Sequence, residues 1–292
     1  MSDDAAVKPN DMEVKTAILL GSGDHRPKIK SAIDKIRPAI EKYVEIVHED
    51  LAYCRSLEGL SADIAIVLGG DGSILRASKH MANNQIPVLG VNLGKLGFLA
   101  DIQPDNLDKA MQLLMQGQFR LVDHLIMRCQ VMRGEEILFD QIGLNEASIL
   151  GGPPFKIQRF ELTVDGEFAT QYSCDGLILS TPIGSTAHSL SAGGPIVRKD
   201  LHAFVISPIS PHTLTVRPVV DSADRIYEIK VNEPNESTSI VLDGQILCHL
   251  TAEHCVRIQK SDAIFRLIEI AGKGYYRTLR EKLGWRGALT SQ

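Results

Sequence analysis

The chain of 292 residues predicts an α/β half followed by a β-rich half, and three observations carry that reading. From residue 14 to about 118, short apolar runs alternate with stretches of helical period, the order expected of a parallel sheet covered by helices. From about 120 to 270 the pattern changes to many short strands with turn residues at close spacing. After 270, Tyr275 to Trp285 form an amphipathic stretch with Tyr276, Leu279 and Leu283 on one stripe, expected to pack back on the first domain. These changes divide the chain into a polar tail (1–13), an α/β domain (14–119, completed by 270–292) and a β-rich domain (120–269).

In the first domain the expected strands are Lys15 to Leu20, Val44 to Val47, Ile64 to Leu68 and Pro87 to Val91. The expected helices are Pro27 to Tyr43, Ser73 to Ala82 and Pro104 to Gln116. Gly21-Ser22-Gly23 after the first strand suggests a dinucleotide fingerprint, but Arg26 occupies its third glycine position and the pattern fails. In the second domain Asp165-Gly166, between Phe160 to Val164 and Phe168 to Gln171, signals a two-residue hairpin. Thr238 to Leu242 leads into a second such pair, Asp243-Gly244. A helical interruption is expected over Thr186 to Ala192.

Composition narrows the functional classes. The chain is 44% hydrophobic and 23% charged, ordinary for a globular protein large enough to need no metal or disulfide staple. A net charge of −5 without a long basic run argues against nucleic acid as a partner. The first thirteen residues lack the basic and apolar regions of a secretion signal, and no apolar run approaches the length of a membrane span, so a cytoplasmic protein is expected. Five cysteines without a Cys-x-x-Cys pair suggest reduced thiols. Cys248-His249 and His254-Cys255 look like metal ligands. If 250–253 form a hairpin turn, however, the histidines and the cysteines lie on opposite faces and cannot close a tetrahedron.

The run Ile64 to Leu68 ends in Gly69-Gly70-Asp71-Gly72, and helical spacing follows through Ile74, Leu75, Ala77, Ser78 and Met81. A strand-to-helix turn of this kind lies at the carboxyl edge of a parallel sheet, where ligands bind. Glycines let an anion approach main-chain N–H groups, and the following helix offers its N-terminal amides. An acid there repels a phosphate, so Asp71 reads as a general base or a metal ligand; a helix cap in a tight turn is the alternative. Arg76 and Lys95 are close enough in sequence to neutralise a phosphate chain, and Arg76 equally fits a solvated surface.

The run Thr181 to Pro195 is the longest stretch of small and hydroxyl residues. It gives up apolar core and gains donors and acceptors able to hold a ribose or an amide, beyond what a capped helix with a glycine stop requires. A serine hydrolase built on Ser185 or Ser189 with His188 or His212 lacks the Gly-x-Ser-x-Gly elbow.

Gly69 to Gly72, Val88 to Leu99, Asn145-Glu146, Asp175 to Val197 and Pro208 to Leu214 together resemble the NAD kinase family, which uses ATP or polyphosphate to phosphorylate the 2′-hydroxyl on the adenosine ribose of NAD. The resemblance runs in order from about 63 to 285, and Asp175 to Val197 is its specific part; Gly-Gly-Asp-Gly is shared with phosphofructokinases and with diacylglycerol and sphingosine kinases. It implies a Rossmann-like first domain that takes the phosphate donor, a β-sandwich-like second domain that takes NAD, and a site between them. It also implies Mg²⁺ with ATP, and a dimer or tetramer in which a neighbouring subunit completes the pocket.

By the same resemblance Asp71 is the base, Gly72 and Leu75 line its pocket, and Phe98 packs near the adenine. Asn145 and Glu146 bind riboses, Asp175 holds the nicotinamide end, and Lys156 falls where some members contact the nucleotide. Thr186, Ala187, His188 and Ser191 contact the dinucleotide, with Gln245 on the far side. Ser73, His188 and Ser173 depart from the usual threonine, tyrosine and arginine; His188 keeps a flat ring and loses the phenol. A lipid kinase would need an apolar pocket where Thr186 to Ser191 are polar, and a non-catalytic NAD sensor would not need Asp71.

Overall fold

The protein's computed structural model describes residues 11–21, 27–55, 57, 59–94, 97–270 and 275–284, without the side chains of 27–30 and 277. Residues 1–10 of the expected tail, Ser22 to Arg26 of the failed fingerprint, Lys95 and Trp285 lie outside the described residues. In chain order the elements are β1 (Thr16–Gly21), α1 (Pro27–Glu41), β2 (Glu45–Asp50), β3 (Ile64–Gly69), α2 (Asp71–Met81), β4 (Val88–Asn92) and α3 (Leu107–Met115). There follow β5 (Phe119–Arg133), β6 (Glu136–Gly143), β7 (Glu146–Leu150), β8 (Gln158–Val164), β9 (Glu167–Cys174) and β10 (Gly176–Ser180). The last are α4 (His188–Ser191), β11 (Ala203–Ile209), β12 (Val219–Ser222), β13 (Tyr227–Val231), β14 (Ser239–Leu242), β15 (Gln245–His249), β16 (His254–Ile270) and α5 (Tyr275–Leu283). Two compact units result: 1–122 with 266–292, and 123–265.

In the first unit the parallel strands lie in the order β2, β1, β3, β4, and Leu267 of β16 pairs with Val88 beyond β4. Every residue of β3 is buried, as a strand covered on both faces requires. Ile64, Ile66 and Leu68 pack with Ile33, Ile36 and Ile40 of α1 and with Leu107, Met111 and Leu114 of α3. Ala65 and Val67 point the other way, and α2 covers that face with Ile74, Ala77 and Met81. Chain order reverses between β1 and β3, so their carboxyl ends form the switch point where open α/β sheets take ligands. The strand expected at 44–47 forms as β2, at the edge of the sheet, where its glutamates and Val47 alternate outward. In α5 Leu279 is buried, whereas Tyr276 is 56% exposed and leaves the stripe that periodicity assigned to it.

The second unit is a β-sandwich. One sheet has the order β12, β11, β10, β7, β14, β15, all antiparallel; the other joins β5, β6, β8, β9, β13 and the first part of β16. Inward residues of both sheets share one core, with Phe160, Leu162 and Tyr227 from one side and Ile149, Leu177, Phe204 and Ile240 from the other. Both Asp-Gly hairpins form with positive φ at each residue, 50° and 83° at Asp165-Gly166 and 48° and 77° at Asp243-Gly244. The expected helix at 186–192 shrinks to a 3₁₀ turn (Gly184–Thr186) and the single turn α4, because the chain bends back at Gly193. Residues 250–253 do turn, but β15 and β16 belong to different sheets, so the paired ribbon expected around Cys248 and Cys255 does not form. Phe160 and Phe168 lie on the two strands of one hairpin, fully buried and 61% exposed respectively. Phe160→Ala is expected to cost about 3–5 kcal/mol and Phe168→Ala under about 0.5 kcal/mol, read from denaturant midpoints; equal costs would contradict this placement of the core.

Candidate active site

Parallel register brings two loops of the first unit side by side. Gly69 pairs with Asn92, so the chain leaves β3 and β4 at one level, and Leu93 donates its N–H to the Gly69 carbonyl at 3.1 Å. Gly70 is the N-cap of α2 and Asp71 its first residue, with no side-chain cap bond. The Asp71 carboxylate therefore does not cap its own helix. It reaches across to the other loop, where Oδ2 accepts the Phe98 N–H at 2.7 Å and Oδ1 accepts those of Leu99 and Ala100 at 2.9 and 3.1 Å.

That second loop is held from beneath. Asn92, wholly buried, donates through Nδ2 to the Ala100 carbonyl at 3.0 Å and accepts the Gly94 N–H at 2.8 Å. Above it, Lys282 Nζ of α5 lies 5.0 Å from the centre of the Phe98 ring, a cation–π contact. Behind Asp71, the Tyr53 hydroxyl donates to the Ser73 carbonyl at 2.8 Å and steadies the first turn of α2. Gly72 is exposed and Leu75 and Phe98 are half-buried; Gly72 and Leu75 follow Asp71 on the first turns of α2, and Phe98 is joined to Asp71 through its amide. Arg76 is exposed, in keeping with a solvated cation.

In the second unit three chain ends meet: the start of β7, the end of β10, and the Asp243-Gly244 turn after β14. Register sets Glu146 opposite Ser180 and Ala147 opposite both Leu179 and Leu242. Asp243 accepts the N–H groups of Leu144, Asn145 and Glu146 at 2.7, 2.8 and 3.1 Å, and returns its own N–H to the Glu146 carbonyl at 3.0 Å. Thr181 donates through Oγ1 to the Leu144 carbonyl at 2.5 Å and through N to that of Asn145 at 2.8 Å. Gly184 fits against this loop because it is bare: a Cβ there would lie 2.1 Å from the Asn145 carbonyl oxygen.

Glu146 ends up 8% exposed, and its Oε2 is buried without a hydrogen-bond partner. Burial pushes its carboxyl up to about 7, and the neighbouring Asp243 charge adds to the shift. A buried acceptor with nothing to accept from is suited to a ligand hydroxyl. Thr186, Ala187 and His188 are half-buried, and Ser191 and Gln245 are exposed.

The hydroxyl run serves the scaffold more than periodicity indicated. Ser185 Oγ donates to the Pro182 carbonyl and accepts the Val197 N–H, and Ser189 Oγ pairs with Ser207 Oγ. Neither serine meets a histidine, which ends the hydrolase reading. Asp175 stands at the opposite end of β10 from Ser180, about 17 Å away at strand rise, with His212 Nε2 4.0 Å from its Oδ1. Lys156 is exposed on the loop after β7, at that same end. One sugar cannot touch both Glu146 and Asp175 of the same chain.

The cysteine and histidine group holds no metal geometry. His249 Nδ1 bonds Ser239 Oγ, His254 Nδ1 accepts the Thr251 N–H, and among the described residues no three acidic, histidine or cysteine side chains converge. Burial pushes the Cys129 and Cys174 thiols up to about 12, which leaves them inert. Sequence reasoning missed Asp243 and Asn92. Asp243 was visible only as a hairpin signal, and Asn92 only as a member of the Val88 to Leu99 motif.

Known proteins place this arrangement. Family models match the ATP-NAD kinase N-terminal domain over residues 23–119 and the ATP-NAD kinase C-terminal domain over 144–270. An NAD kinase of Rhodopirellula baltica is 50% identical over 272 residues, 93% of this chain and 87% of the relative. One of Geobacter metallireducens is 41% identical over 224 residues, 77% and 79% of the two chains. The fold is also that of a yeast NADH kinase solved with NADH, with a TM-score of 0.84 at 22% identity over 98% of this chain and 95% of that one. An Archaeoglobus fulgidus NAD kinase solved with ATP gives 0.66 at 26% identity, over 92% and 97%. With both halves matched in order and half of the 272 aligned residues identical to those of a curated relative, the chain belongs to the NAD kinase family.

Proposed function

We propose that this enzyme transfers the γ-phosphoryl group of ATP to the 2′-hydroxyl on the adenosine ribose of NAD, with Asp71 as the base that receives the hydroxyl proton. The observation that carries the assignment is the seat of Asp71: a carboxylate at a glycine-built strand end, turned away from its own helix and held by three amides. A carboxylate offers about four acceptor positions. Two on Oδ1 and one on Oδ2 are occupied, so Oδ2 keeps one for a substrate hydroxyl.

The step balances simply. The ribose oxygen forms a bond to the γ-phosphorus as the bond to the β–γ bridging oxygen breaks; ADP leaves with that oxygen's electron pair, and the hydroxyl proton passes to Asp71. Such transfers have loose transition states, so the protein contributes mainly position and electrostatics, and a weak base suffices when the proton departs late. Mg²⁺ enters as part of the MgATP substrate, held mainly by phosphate oxygens, as its reluctance to shed water favours. Gly72, Leu75 and Phe98 are assigned to the pocket around the base. Asn145 and Glu146 are assigned to the riboses, Asp175 and Lys156 to the nicotinamide end, and Thr186, Ala187, His188, Ser191 and Gln245 to the length between. The separation of Glu146 from Asp175 suits a ligand as long as a dinucleotide. A homo-oligomer fits the exposure of Phe155 and Leu214, 86% and 92%, in the second unit. Among the described residues no helix is long and apolar enough to cross a membrane.

Asp71→Asn is expected to lower turnover by at least ~10²-fold, the scale of a lost general base, while NAD affinity stays within about tenfold. A coupled assay for NADP formation and a titration with NAD read the two quantities, and near-normal turnover would remove Asp71 from the role. Wild-type protein that binds NAD and forms no NADP from MgATP would instead identify a sensor.

Glu146 adds a pH signature. Its carboxyl titrates near 7 in the folded chain against an ordinary 4.5, so between those values the folded state holds a proton that the unfolded state has released. Stability is therefore lost as pH rises through that window, by an amount of order 3 kcal/mol. Glu146→Gln is expected to remove this loss. Denaturant unfolding at pH 5 and pH 8 checks it, and an equal pH dependence in both proteins would show that Glu146 titrates normally.

A further inference from the structure

Gly97 is buried and its φ lies outside the left-handed region, so backbone conformation does not demand glycine there. Space does. A Cβ on Gly97 would lie 1.9 Å from Asp71 Oδ1, 2.6 Å from Cγ and 2.9 Å from Oδ2, so the three atoms nearest to that point all belong to the carboxylate. The bare Cα is therefore one wall of the seat in which the carboxylate meets the amides of Phe98, Leu99 and Ala100. The wall cannot retreat easily, because Asn92 ties Gly94 and Ala100 from below and Lys282 covers Phe98 from above.

We propose that Gly97 is a positioning residue for the phosphoryl transfer: its missing side chain lets Asp71 lie flat against three successive amides, which leaves one acceptor position on Oδ2, in one direction, for the substrate hydroxyl. The inference rests on Asp71 being the base. A methyl group at 97 would swing the carboxylate out of its seat, free its oxygens to bond water in several orientations, and leave the three amides to find other acceptors. Misplacement of a reacting group by about an ångström costs on the order of 10²-fold in rate. The dinucleotide contacts assigned to the second unit involve none of these atoms, so NAD affinity should hardly change.

A double-mutant cycle tests this. Gly97→Ala is made alone and with Asp71→Ala, and thermal midpoint, kcat and the KM for NAD are measured with NAD and MgATP. In the wild-type background Gly97→Ala should lower the midpoint and reduce kcat by roughly 10²-fold, with KM for NAD within about threefold. In the Asp71→Ala background, where the crowded atoms are gone, it should change neither the midpoint nor the residual turnover. A Gly97→Ala single variant that fails to fold beside a double variant that folds also supports the seat. Equal thermal losses in both backgrounds, failure of both to fold, or undiminished kcat in the single variant would overturn the proposal. Should Asp71→Ala itself keep full turnover, the base assignment fails, while the thermal cycle still reports whether glycine at 97 makes room for the carboxylate.

Discussion

The contact between the Asp71 carboxylate and the amides of residues 98–100 is the interaction from which the first unit's site takes its shape. It depends on the sheet below. Only because β3 and β4 are parallel and in register, Gly69 beside Asn92, do the two loops leave the sheet at one height and close enough to bond. The register in turn is fixed by apolar residues that must face α1 and α3 on one side and α2 on the other, since a slip of one residue would exchange the faces. Hydrogen bonds to a charged group are worth about 1.5–3 kcal/mol each, so three of them are a sizeable part of a stability of order 5–15 kcal/mol. The proposed base is therefore also a structural tie.

The second unit uses the same device for a different end. Asp243 takes three successive amides, those of Leu144 to Glu146, and so fixes the loop before β7. Its carboxylate is occupied by main chain, and the group left without a partner is its neighbour, Glu146 Oε2. Holding that loop rigidly brings two acids together under little water, and the raised affinity of Glu146 for a proton is the cost of the arrangement. Under the proposed function a ribose hydroxyl would satisfy it. In each unit an aspartate orders three amides; Asp71 retains an acceptor position of its own, whereas beside Asp243 the open acceptor is on Glu146.

How much of this could be read from the chain depends on how local the cause is. The run Ile64 to Leu68 and the glycines after it state their own strand and turn, and the Asp-Gly pairs state their own hairpins, since a two-residue turn with two positive φ angles needs no distant partner. Asp71 could be located but not oriented, because its partners are 27 to 29 residues away. Asp243 reads locally as a turn residue, and only folding shows that it reaches back 97 to 99 residues to order Leu144 to Glu146. In the run from Thr181 to Pro195 some hydroxyls satisfy buried carbonyls that composition cannot reveal, as Thr181 and Ser185 do. Val44 to Val47 announced a strand but not its place at the sheet edge, because a short apolar cluster is equally compatible with a central strand and with an edge strand.

Main-chain amides suit a reaction that asks mostly for position. An amide in a fixed loop has no rotamer to lose, whereas a lysine or arginine holding the same carboxylate would bring a long side chain that must be ordered each cycle. The requirement falls instead on space: the carboxylate and the loop must come within van der Waals contact, and a residue without a side chain has to stand where they meet. Gly97 stands there, with Asn92 holding the loop around it. On the proposed reading, glycines in these two loops do two distinct jobs, Gly69 to Gly72 leaving room for a ligand's phosphates and Gly97 leaving room for the protein's own acid, and it is the second that sets the direction in which the acid can act.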